Sequence, residues 1–169
     1  KTAKDYQNAF DGRVLNSRYE EKNVGGYIGV NKSWGYSHLL ISNFNQQLGL
    51  IDGGRDSATG KFLIYPQTTL EHIATDAELN TRAFTVPYQH IQHFKIASDN
   101  NIAVGKNRLG INIGYQRNQR KEFGDLFSSS PRLFFDLQTL NYNVQYHFSE
   151  QSGWKTSLGI NGMYQENKN

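Results

Sequence analysis

The groups able to do chemistry are spread thinly along this 169-residue chain. It has no cysteine to act as a nucleophile. It has no Gly-rich phosphate loop and no HExxH zinc motif either. Serine and histidine are close in sequence only at Ser37-His38 and His147-Phe148-Ser149, and the paired acids Glu20 and Glu21 fall in an expected turn. Neither arrangement supplies a nucleophile, its base and the group that orients them, so catalysis is not expected. His90 and His93 are three apart, and Lys95 follows. On a strand, His93 and Lys95 share a face while His90 points away. A metal needs several convergent ligands, so these residues read as wall positions facing water. Neither a metal nor a cofactor is expected.

A second group lies in the long polar connection 52–90, namely Arg55, Tyr65, His72, Arg82, Tyr88 and His90. Mixed aromatic and basic side chains can hold an anionic or catecholate-like ligand by stacking and charge-assisted hydrogen bonds. For any single residue a solvated loop without ligand contact is the commoner explanation, so the region rather than any one side chain is the candidate ligand site.

The elements that must position these groups are strands. Leu140, Tyr142, Val144, Tyr146 and Phe148 alternate with Asn141, Asn143, Gln145 and His147. After a turn at 149–153, Leu158, Ile160, Gly162 and Tyr164 alternate with Ser157, Gly159, Asn161 and Met163. Leu109, Ile111, Ile113 and Tyr115 alternate with Gly110, Asn112, Gly114 and Gln116. Phe94, Ile96, Ile102 and Val104 oppose His93, Lys95, Ala97, Asp99 and Asn101. A period of two places one set on each face. The polar faces are rich in Asn, Gln and His, as when the apolar side meets lipid and the polar side a wet lumen. A soluble sandwich strand alternates as well.

About seven strands are expected, at 12–19, 24–33, 37–51, 89–104, 108–120 and in a last pair that begins near 133 and ends near 164. A charged turn is expected at 20–23. Within 52–90 a short strand is expected at 61–65 and a helix at 68–80, capped by Thr68 or Thr69. Connections alternate between short (32–37, 105–107, 149–153) and long (52–90, 122–131), as in up-and-down outer-membrane barrels; only 20–23 breaks that parity. Trp34 and Trp154 both lie at short turns near Tyr36, Tyr146 and Phe148, which suits an aromatic girdle at one interface. Packing at the end of a soluble sheet accounts for the tryptophans equally well. Pro66, Pro87 and Pro131 all fall in long connections, where a missing donor does no harm.

Composition bounds the function classes. The net charge is +3 and no basic stripe is concentrated enough for nucleic acid. Arg117, Arg120 and Lys121 read as a solvated strand tip. Mean hydropathy is −0.68, and no run approaches the roughly 20 apolar residues of a spanning helix. Barrel strands escape that test because each is short and half polar. The chain opens on Lys1 without a signal-peptide pattern, and an odd count of amphipathic strands would leave unpaired edges in lipid. The expectation is a slice of a larger closed barrel.

Several strings resemble barrel segments of TonB-dependent outer-membrane receptors, particularly those of Bacteroidetes-type bacteria. They include Asn23-Val24-Gly25-Gly26-Tyr27-Ile28-Gly29-Val30-Asn31-Lys32-Ser33-Trp34-Gly35-Tyr36-Ser37-His38, Ser42-Asn43-Phe44-Asn45-Gln46-Gln47-Leu48-Gly49-Leu50 and Pro87-Tyr88-Gln89-His90-Ile91-Gln92-His93-Phe94-Lys95. Residues 107–124 and 137–167 are similar in the same way. The resemblance implies a barrel of about 22 strands, a plug inside it, a motif that engages the TonB energy-transducing complex, and uptake of a ferric siderophore or another small metal chelate. This chain lacks the plug, the coupling motif and an aromatic-ended last strand, so it would carry wall and loops only.

The expected fold is therefore all-β, a partial antiparallel transmembrane barrel over 1–169 in the bacterial outer membrane, with outer loops at 52–90 and 122–132. The lumen-facing set is His93, Lys95, Asp99, Asn101, Asn141, Asn143, Gln145 and His147, which could alternatively touch the plug. The lipid-facing set is Leu109, Ile111, Ile113, Tyr115, Leu140, Tyr142, Val144, Tyr146, Leu158, Ile160 and Tyr164. A small complete barrel with a structural or adhesive role, or a soluble sandwich binding module, is the alternative.

Overall fold

The computed structural model describes residues 1–64, 71–85, 87–125 and 127–168. Among the described residues the chain is all-β apart from one helical turn. Three short strands come first, β1 (Thr2–Ala3), β2 (Gln7–Asn8) and β3 (Gly12–Arg13). The long strands β4 (Tyr19–Lys32) and β5 (Gly35–Gly49) follow. Next come β6 (Leu63–Ile64), β7 (His72–Ile73) and the helix α1 (Asp76–Leu79). The chain closes with β8 (Tyr88–Val104), β9 (Asn107–Phe123), β10 (Leu133–His147) and β11 (Ser157–Lys168). The main sheet is antiparallel and seven-stranded, in the order β1-β4-β5-β8-β9-β10-β11. Each long strand therefore pairs with the next long strand in sequence, as in a meander.

The expected strand total is met by different members. The segment 12–19 contributes β3, which pairs with β2 outside the main sheet, and only its last residue, Tyr19, enters the main sheet as the start of β4. Val14, Asn16 and Arg18 are indeed buried alternately, but Asn16 sits at φ 59, a left-handed conformation that breaks an extended ladder. The expected turn at 20–23 is the start of β4, because Thr2 pairs with Glu20 and Ala3 with Tyr19. That correction removes the exception at 20–23, but the expected short turn at 149–153 lies within a nine-residue connection, 148–156, as long as the outer connection 124–132, so length does not separate the two ends there. Two residues, Ser33 and Trp34, join β4 to β5, and Gly105 and Lys106 join β8 to β9. Gly35 takes φ +129, and a Cβ there would stand 1.9 Å from the Asn101 carbonyl.

Cross-strand contacts fix the faces. Leu140 pairs with Tyr164, Tyr142 with Gly162, Val144 with Ile160 and Tyr146 with Leu158. The Tyr115 hydroxyl donates to Gln138 at 3.1 Å and the Asn107 amide donates to the Tyr146 hydroxyl at 2.8 Å. On this face Tyr142 lies over Gly162, where a Cβ would meet its hydroxyl at 2.5 Å. On the other face His147 bonds Ser157 at 2.8 Å, Gln165 donates to Thr139 at 3.2 Å, and Asn141 covers Gly114.

By internal contacts the chain divides into two units. The first comprises Lys1–Lys22, Asn45–Ile91 and Gln119–Phe134. It holds all of the buried hydrophobic side chains among the described residues, Val14, Phe62 and Leu79. Its centre is ionic. Arg18 grips Asp5 with Nε to Oδ1 at 3.0 Å and Nη2 to Oδ2 at 2.6 Å, with both side chains essentially inaccessible. Arg18 also donates to the Ala83 carbonyl. Asn16 donates to the Leu50 carbonyl at 3.0 Å and to that of Pro87, while its amide donates to Asp5 at 3.2 Å. The N-terminal segment thereby pins both feet of the long connection. The second unit comprises Asn23–Phe44, Gln92–Asn118 and Phe135–Asn169. It is sheet with both faces accessible.

Removing one partner of a buried pair leaves an uncompensated charge, at a cost of about 3–5 kcal/mol. Hydrogen exchange at Gly49 and Leu50, whose amides bond to the Arg18 and Pro87 carbonyls, reads that cost. Arg18→Met should lower their opening free energy by about that amount, and the Asp5→Leu/Arg18→Met double variant should lower it less. Equal protection in wild type and Arg18→Met would refute the pinning role.

Candidate functional site

The long connection is built by short-range capping and by ion pairs. The helix is one turn, not the twelve-odd residues its apolar spacing suggests. Its cap is Thr75, within a capping box: the Thr75 hydroxyl accepts from the Glu78 amide, and the Glu78 carboxylate accepts from the Thr75 amide. Ile73 and Ala74 mimic a helical stripe, but β7 and its pairing with β6 hold Ile73 extended, and the Ala74 amide donates to the Phe62 carbonyl. The expected caps Thr68 and Thr69 lie outside the described residues, as does the candidate Tyr65. The expected strand at 61–65 is present as β6, with Phe62 bridged to Arg55.

The other five loop candidates turn to different partners. Arg55 donates to Asp11 at 2.7 Å and to the Gly60 carbonyl at 2.9 Å, with its guanidinium 4.1 Å from the Phe62 ring centre. His72 bonds Glu78 at 2.9 Å. Tyr88 stacks on Phe123 at 4.6 Å and tilts against Phe84. His90 bonds Asn45 at 3.0 Å. Arg82 is exposed. The structure uses Arg55 and His72 to hold the loop, and it places Tyr88 and His90 at the start of β8. It does not gather the set around one point. Among the described residues no three His, Asp or Glu side chains could hold a metal together.

The faces of the sheet separate as the alternation requires. Leu109, Ile111, Ile113, Tyr115, Leu140, Tyr142, Val144, Tyr146, Leu158, Ile160 and Tyr164 share one face, by the period of two and the cross-strand contacts above. His93, Lys95, Asp99, Asn101, Asn141, Asn143, Gln145 and His147 share the other, where His93 bonds Gln116 and Arg108 donates to Asn101, both at 3.3 Å. On that second face a groove of about 410 Å³ opens beside Lys95 and Asp99, bordered by Tyr27, His38, Asn112 and Asn141. His38 and Asn112 share the polar phase of their strands, but only cross-strand register brings them to Lys95 and Asp99, and the sequence does not print that register.

At the short-turn end, Tyr146 meets Phe148 edge-on at 5.0 Å and Tyr36 stacks on His38 at 4.7 Å. Asn107 accepts from the Ser149 amide at 2.8 Å, fixing the base of the last turn. Trp34 and Trp154 are exposed there. Comparisons with protein-family models, with curated proteins and with solved structures find no match.

The Glu78 carboxyl is held down from 4.5 to about 2, first by the Thr75 amide, then by the Thr75 hydroxyl and by His72. A depressed carboxyl stabilises the loop fully above its unfolded value near 4.5, and that contribution is lost as pH falls toward 2. In an NMR carboxyl titration, Thr75→Ala should move the Glu78 midpoint up toward 4.5. An unmoved midpoint would remove the capping hydroxyl from the account.

Proposed function

We propose that this chain is a segment of wall and outer loop of an outer-membrane β-barrel receptor of the TonB-dependent kind, which takes up a scarce nutrient such as a ferric siderophore or another metal chelate. The observation that carries the membrane part is the apolar sheet face that the described residues leave accessible. Ile28 is 73% exposed, Leu158 66%, Tyr164 65%, Ile160 62% and Ile113 47%. All share the phase of the aliphatic face. A soluble sandwich buries that face against a second sheet. Lipid covers it at no cost, provided the backbone groups are bonded strand to strand.

The length of the band agrees. Along β9 the aliphatic residues run from Asn107 at the short turn to Arg117. Arg117 is bonded to Asp136 through Nε and Nη2, at 2.8 and 2.5 Å. That interval is about ten residues, the length of a tilted transmembrane strand. Tyr36, Tyr146 and Phe148 gather at its short-turn end together with Lys106 and Arg108, and the Arg117–Asp136 pair marks its other end, as at two membrane interfaces. The two-residue turns then face the periplasm and the connection 50–87 faces outward, where a nutrient would first be met. The ligand class and the energy-transducing partner rest on the resemblance of the strand sequences.

Arginine at a lipid-facing midplane position costs about 2–4 kcal/mol, and at a lumen position far less. In folding titrations into lipid vesicles, Val144→Arg should lose about that much, whereas Asn143→Arg should fold nearly as wild type. Equal tolerance at the two neighbours would sink the lipid-face assignment.

A further inference from the structure

The groove on the polar face has opposite charges at its two ends. Ala97 and Gly114 line its bottom, and Asn141 leans over Gly114 so closely that a Cβ there would meet its Oδ1 at 2.6 Å. Lys95 and Asp99 flank Ala97 on the same face of β8. Four strand residues apart, their Cα atoms are about 13 Å from each other at roughly 3.3 Å per residue. Three other ionisable groups on this face have cross-strand partners, His93 with Gln116, Arg108 with Asn101 and His147 with Ser157. Lys95 and Asp99 enter no ion pair and no side-chain hydrogen bond among the described residues. Asn112 of β9 and Asn141 of β10 line the same groove, and their side-chain amides carry the same donor and acceptor as a peptide group.

We propose that this groove binds a short zwitterionic peptide in extended form. Its carboxylate meets Lys95, its ammonium meets Asp99, and its peptide groups are bonded by Asn112 and Asn141. The reach of the two charged side chains shortens the gap to about two or three peptide residues. Tyr27, His38 and Leu40 also line it, which offers the peptide's side chains ring and aliphatic contacts. The polar face is wet whether the opposite face meets lipid or not, so this inference does not rest on the membrane reading.

The test uses the whole 169-residue chain in detergent micelles, with trialanine as probe and isothermal titration as readout. Trialanine should bind saturably. N-acetyl trialanine amide, which has no terminal charges, should bind roughly fivefold more weakly or worse, as should trialanine to Lys95→Gln or to Asp99→Asn. The exchange Lys95→Asp/Asp99→Lys should restore binding, because the peptide can reverse. Both side chains are exposed, and circular dichroism checks that each variant keeps its sheet. No saturable binding to the wild type would overturn the proposal. So would equal affinity for the free and blocked peptides, or unchanged affinity in both single variants.

Discussion

This sheet holds together through its backbone ladder, because its long strands bury almost no apolar side chain. Strands of twelve to seventeen residues, β4, β5 and β8 to β11, pair one after another. Apart from β5, where Leu40 and Leu48 share the polar face with His38, their aliphatic side chains collect on one face and remain accessible. Water charges about 25 cal/mol for each Å² of such surface, while hydrocarbon charges nothing. In hydrocarbon, by contrast, an unbonded amide is costly, and the ladder is what removes that cost. One constraint thus asks for the alternation, the strand length and the lack of a core together.

The first unit solves a different problem. An irregular connection exposes carbonyls that no strand will satisfy. Here Asn16 and Arg18 take those of Leu50, Pro87 and Ala83, and Asp5 neutralises Arg18. The same economy explains why Arg55 and His72 do not face a ligand: Arg55 closes onto Asp11 and Phe62, and His72 closes onto Glu78. If the loop captures a nutrient, it does so with side chains that are not already bonding the loop to itself.

The period of two was legible from Leu109 to Tyr115, from Leu140 to His147 and from Ser157 to Tyr164, since the side chains of those strands obey it. Short turns at Ser33-Trp34 and Gly105-Lys106 were legible from glycine and polar residues. Strand ends were not: Glu20 and Glu21 look like a turn, and only pairing with Thr2 and the bond from the Glu21 amide to the Lys1 carbonyl reveal a strand. The buried ion pair was hidden because Asp5 and Arg18 are thirteen residues apart and burial cannot be read from a charged residue alone. The helix was misread because Ile73 and Ala77 share a side by spacing, whereas Thr75 and Glu78 decide where the turn begins. The groove required register, a property of two strands at once.

The account stands on lipid covering one face of the sheet. Nitroxide scanning of β11 in bilayers tests this most directly, by comparing collision with dissolved oxygen, which concentrates in hydrocarbon, and with a water-soluble nickel chelate. Labels at Leu158, Ile160 and Tyr164 should collide with oxygen, and labels at Ser157, Gly159 and Asn161 with nickel, in strict alternation. Nickel access at every position, or no alternation at all, would contradict it.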